Sequence, residues 1–150
     1  MRRQVNPQSY LVAIMGACKL SAHDKAGFVE PVRGAVDAIR RGDGTKEEWQ
    51  KLFHALNMLE QFSRSPQIMR NARDYIESMQ EVITGILDRK TKALHASELA
   101  DLVGLADLWE EVLGMVTMRE YSKAEAECER RLVAILRSGT RGVRVVEIPK

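Results

Sequence analysis

The run from Ile68 to Leu87 constrains this chain more than any other stretch. Ile68, Met69, Ala72, Tyr75, Ile76, Met79, Val82, Ile83, Ile86 and Leu87 recur at steps of three and four. That spacing aligns side chains on one face of an α-helix, here about six turns long, whereas a strand would alternate at two. A helix with so long an apolar stripe is marginal alone in water, so the rest of the chain has to supply surfaces that cover it.

It supplies them in the same form. Tyr10, Leu11, Ile14, Met15 and Cys18 mark a first helix from Ser9 to Leu20, after a flexible start over residues 1–8. Ser21 with Asp24 is a reduced capping box that opens a second helix, whose stripe is Phe28, Val29, Val32, Ala35, Val36 and Ile39. Pro31 lies inside it and predicts a kink, or a break near Glu30. Gly42-Asp43-Gly44 closes that helix, and Thr45 with Glu48 forms a full capping box for the next. This third helix buries Trp49, Leu52, Phe53, Leu56, Leu59 and Phe62 and leaves Lys46, Glu47, Gln50, Lys51 and Gln61 to solvent. Ser65-Pro66 ends it and starts the fourth.

The periodicity lapses from Arg89 to Lys92. Ser97 is then the expected cap of a fifth helix carrying Leu99, Leu102, Val103, Leu105, Trp109, Val112 and Leu113. Gly114 ends or bends it. Thr117 with Glu120 caps a sixth, with Tyr121, Ala124, Cys128, Leu132, Ile135 and Leu136 on its stripe, unless one helix runs on through Gly114. Ser138 to Gly142 breaks the helix, and Val143 to Ile148 reads as a short strand or extended tail. The expected architecture is all-α: one domain over residues 1–150, an irregular bundle of five or six helices with a short extended tail from residue 138. Length suffices for a core without metal or disulfides, no stretch approaches a membrane span, and no internal repeat is present.

Chemistry-bearing residues are sparse. His23, His54 and His95 stand singly, with no H-E-x-x-H, no H-x-H and no acidic ligand at metal spacing. Cys18 and Cys128 belong to no C-x-x-C pair and read as small buried hydrophobes of a reducing cytoplasm. The Gly42-Asp43-Gly44-Thr45 loop would present amide hydrogens to a phosphate, but lacks P-loop spacing and a preceding strand. Glu47/Glu48 and Glu110/Glu111 are adjacent pairs that point about 100° apart on a helix. These features imply no enzyme, cofactor or metal site. Glu98 to Ala106 resembles the first helix and turn of a helix-turn-helix, with Ala100 and Gly104 at its small positions. The would-be recognition helix from Asp107 is acidic, however, and would be repelled by phosphates.

Charge is segregated. Residues 98–129 hold nine acids against Arg119 and Lys123, whereas residues 130–150 hold six bases against Glu147. Glu110, Glu111 and Glu125 on the acidic side, and Arg137, Arg141 and Arg144 on the basic side, are the candidate partner-binding residues. An acidic stretch and a basic tail suit a host or phage protein as partner, or nucleic acid at the tail together with Arg2, Arg3, Arg40, Arg41 and the Arg89 to Lys92 turn. Met58, Leu108 and Met118 fall off the main stripes and need cover, which points to a homodimer.

Pro31-Val32-Arg33-Gly34-Ala35-Val36-Asp37-Ala38-Ile39-Arg40-Arg41-Gly42 and Glu48-Trp49-Gln50-Lys51-Leu52-Phe53-His54-Ala55-Leu56-Asn57 carry a resemblance across most of the chain. They resemble a group of short, uncharacterised helical proteins carried by prophages and plasmids of proteobacteria. That group shares a P-V-x-x-A segment ending in R-x-G, a capped helix with W-x-x-L-x-x-A, a later Glu-Leu helix, matched by Glu98-Leu99, and a Val-rich tail after glycine. The resemblance implies a mobile-element setting and, by analogy, action by binding: regulating phage genes or blocking a host system such as antiviral defence.

Overall fold

In the computed structural model, residues 17–65, 72–91 and 93–138 are described. They form five helices: α1 (Ala22–Arg40), α2 (Lys46–Phe62), α3 (Ala72–Asp88), α4 (Ala96–Leu113) and α5 (Met118–Ser138). No strand occurs among them beyond a single antiparallel bridge, Lys19 to Thr117. The all-α bundle is therefore the observed fold. The expected helix from Ser9 falls outside the described residues except at its end. The first turn expected from Pro66 and the tail from residue 139 also lie outside them.

Local chemistry sets each boundary. The Ser21 hydroxyl accepts the Asp24 amide at 3.1 Å and opens α1. Pro31 does not break this helix, which runs continuously to Arg40. Pro31 and Gly27, four residues before it, are both exposed. The carbonyl deprived of its donor therefore lies on the solvent side, and the ring meets no side chain there. Gly42 takes φ 83°, and the Asp43 amide donates back to the Ala38 carbonyl at 2.9 Å, the six-to-one bond of a Schellman ending. The Thr45 amide donates to the Glu48 carboxylate at 2.7 Å and opens α2.

The start of α4 corrects the sequence expectation. Its cap is His95, with Ser97 inside the first turn, and Glu98 accepts the His95 amide at 2.8 Å. Glu98 wins because it also binds Arg89 in a two-pronged fork, 2.7 Å at each prong, which ties the end of α3 to the start of α4. Gly114 ends α4. Thr117 and Glu120 then satisfy each other's amides reciprocally at 2.9 and 3.1 Å to start α5.

One apolar core runs through all five helices. Its centre is aromatic: Phe28 stacks on Tyr121 at 4.0 Å, and Phe62 and Trp109 lie within 6.5 Å of Tyr121. Four helices thus converge on one cluster, and the Trp109 indole nitrogen donates to the Phe28 carbonyl at 3.0 Å. Met58, expected to need cover, is fully buried in this core, and Leu108 and Met118 are half-buried. The apolar residues left to solvent are different ones: Val103, Met115, Leu132, Val133 and Leu136.

Candidate interaction surfaces

Helix α4 carries Glu98, Asp101, Asp107, Glu110 and Glu111 and no base. Glu98 is spent on the fork with Arg89, which holds its carboxyl below the usual carboxylate range. Arg33 of α1 reaches across to Asp107 at 2.9 Å and to Glu110. What remains outward is a ridge at four-residue spacing, Val103, Asp107 and Glu111, continued past the helix end by Met115, all exposed. Asp107 keeps 62% of its side-chain surface despite the contact with Arg33, so its charge still faces water. Asp101 is exposed on the flank toward α3. There the buried Tyr75 hydroxyl has no hydrogen-bond partner among the described residues, and burial, with the fields of Asp101 and Asp107, holds its proton on.

Helix α5 offers a second surface. Tyr121 and Ala124 are buried, and burial pushes the Tyr121 phenol up to about 12. Contact with α2 then thins to Cys128 against the Met58 sulfur at 3.8 Å and Arg131 against Glu60 at 3.4 Å. After Arg131 the exposure rises, and Leu132 and Leu136, expected in the stripe, are 57% and 76% exposed. The last turns of α5 therefore lie outside the cover that the bundle gives to its start.

The expected partner residues scatter across these surfaces. Glu110 is half-buried in the ion pair with Arg33, and Glu111 stands on the α4 ridge. Glu125 and Arg137 are exposed on α5, while Arg141 and Arg144 lie outside the described residues. Sequence reading missed Val103, Asp107 and Met115. Their spacing of four from Glu111 is the available signal, but from the sequence Val103 reads as part of the core stripe. Leu102, Leu105 and Trp109 fix the buried direction of α4, and Val103 points well to one side of it.

Several alternative chemistries lose their geometry. Glu98 to Ala106 lies within one uninterrupted helix, so no helix-turn-helix exists there. In the glycine loop, the Gly42, Asp43 and Thr45 amides are already bonded to Ile39, Ala38 and Glu48, which leaves a poor cradle for phosphate. Arg40 and Arg41 bind Asp37 at 2.6 and 2.5 Å, and Arg89 is engaged by Glu98, so three expected phosphate contacts are occupied internally. Cys18 is exposed rather than buried because it sits in the extended segment that bridges to Thr117, not on a packed helix face. Cys128 is half-buried as expected of a packing residue, and burial raises its thiol. His23, His54 and His95 are all exposed, on three separate elements. Among the described residues no cluster of His, Cys, Asp and Glu could hold a metal ion, and no helix is long and apolar enough to cross a membrane. No protein-family model matches the chain, and no curated protein or solved structure matches it.

Proposed function

We propose that this protein is a non-enzymatic binding protein that acts through protein–protein contacts in the cytoplasm, as a homodimer, and that its target presents a basic surface. The observation that carries this reading is the α4 ridge, where Asp107 and Glu111 are flanked by exposed Val103 and Met115. Paired acids steer and orient a basic partner, and the apolar residues on either side of them supply contact area once water is expelled. The local charge supports it: residues 98–129 hold nine acids against Arg119 and Lys123. An acidic stretch of this kind repels nucleic acid and attracts basic proteins. The resemblance to prophage and plasmid proteins supplies the setting, in which the target is a host or phage protein, such as a component of antiviral defence.

The test is capture from a lysate of phage-infected cells on the immobilised protein, with and without nuclease, alongside Glu111→Lys. The expected result is a stoichiometric protein that survives nuclease, and whose recovery falls about tenfold with Glu111→Lys. Recovery of nucleic acid alone, or of partners lost on nuclease treatment, would replace this reading with a nucleic-acid regulator acting through the basic tail.

A further inference from the structure

The outward face of the last turns of α5 has the pattern of a surface made to meet itself. On the side turned away from α2, Ala126, Glu129, Arg130, Val133, Ala134 and Arg137 line a shallow open depression along the helix. Alanines on either side of Val133 keep this face low, so the backbone of another helix can approach closely. Leu132 and Leu136 form its exposed apolar shoulder. Glu129 and Arg137 stand at its two ends, eight residues and about 12 Å apart along the axis. Both are exposed, and neither is ion-paired among the described residues.

We infer that a second copy of this chain docks here, antiparallel, with the two-fold axis passing at Val133. This deepens the homodimer of the proposed function by assigning its interface. In a two-fold contact, residue i meets j and j meets i, so a face is self-complementary only if opposite charges lie at equal distances on either side of the axis. Glu129 and Arg137 satisfy that condition about Val133. Antiparallel docking sets Glu129 of each copy against Arg137 of the other, Val133 against itself, and Leu136 against the aliphatic stem of Arg130. Parallel docking would stack Glu129 on Glu129 and Arg137 on Arg137, which is repulsive. Because the face points away from α2, the second helix meets α5 without displacing the core. The overlap is about 13 residues, or ~20 Å of helix, so the interface is small and the dimer dissociates on dilution.

Sedimentation equilibrium of the full chain over a wide concentration range tests this with Glu129→Arg, Arg137→Glu and the double variant. Both positions are exposed, and circular dichroism checks that helix content is kept. Each single reversal is expected to weaken dimerisation at least about tenfold by opposing like charges, and the double variant to return within about threefold of the parent. With both native cysteines replaced by serine, Val133→Cys is expected to form a disulfide between copies under mild oxidation, since it meets itself on the axis. A parent protein that stays monomeric throughout overturns both the dimer and this interface. A dimer indifferent to the single reversals overturns the interface and leaves the homodimer standing elsewhere. Single reversals that weaken the dimer without rescue in the double variant overturn the antiparallel pairing.

Discussion

Two glycines show how differently one residue type can be used. A Cβ on Gly44 would lie 2.6 Å from Ile39 Cγ1 and 3.1 Å from Ile39 Cα, and Ile39 is buried, so neither atom can swing away. Gly44→Ala is expected to cost about 1–3 kcal/mol in urea unfolding, through overpacking of the turn that sets α2 against α1. Gly34 sits exposed inside α1 with nothing within 4 Å of its would-be Cβ. There Gly→Ala is expected to stabilise by about 0.5–1 kcal/mol, because alanine restricts the unfolded chain and favours the helix. Charge acts at the same scale. Arg89 first, and then the His95 amide, hold the Glu98 carboxyl below its ordinary 4.5. A carboxyl lowered on folding contributes stability that is present above its unfolded value and lost as pH falls through the folded one. Thermal unfolding of the parent should therefore fall more steeply than that of Glu98→Gln below pH 4.5, with the two running parallel above it.

At the scale of the element, caps decide where helices start and covering partners decide what they bury. Thr117→Ala removes the hydroxyl that accepts the Glu120 amide and is expected to cost about 1 kcal/mol. Along α5 the effect of substitution should then change abruptly. Tyr121→Ala removes a ring that contacts Phe28, Phe62 and Trp109 and should cost about 3–5 kcal/mol. Leu136→Ser, measured on dilute protein, should stay within about 0.5 kcal/mol of the parent, because Leu136 is 76% exposed. The same contrast shows what the sequence could reveal. The capped starts at Ser21, Thr45 and Thr117 were legible because capping is local chemistry within four residues. The buried stripes of α1, α2 and α3 were legible because their periodicity was met by a neighbour along their described length. His95 as a cap was not, since it depends on Glu98 being held by Arg89 nine residues away. The exposure of Leu132 and Leu136 was not legible either: their spacing is that of a core stripe, and how much of α5 is covered depends on how the helices cross, which no local pattern records. The candidate site was the least legible part. Glu111 stood out by charge, but the ridge it belongs to depends on which direction of α4 is buried.

The whole molecule behaves as its core dictates. Trp49 of α2 and Trp109 of α4 are both buried in the one apolar cluster that runs through all five helices. Tryptophan fluorescence therefore reports tertiary packing from two helices, while far-ultraviolet circular dichroism reports helix content over all of them. If helices and packing depend on each other through this cluster, neither can be lost first. Unfolding in urea should give coincident fluorescence and dichroism midpoints for the bulk of the signal, as a two-state domain does. The last turns of α5 are the exception that the geometry requires, since Leu132 and Leu136 lie outside the cluster and contribute little to it. Hydrogen exchange read peptide by peptide should show protection falling along α5, high around Tyr121 and Ala124 and low after Leu132 on dilute protein. It should rise after Leu132 as concentration approaches the range where the second copy docks, while protection in the core stays constant. A fluorescence midpoint well separated from the dichroism midpoint would mean that the helices stand without the cluster, and that the core does not unify this fold.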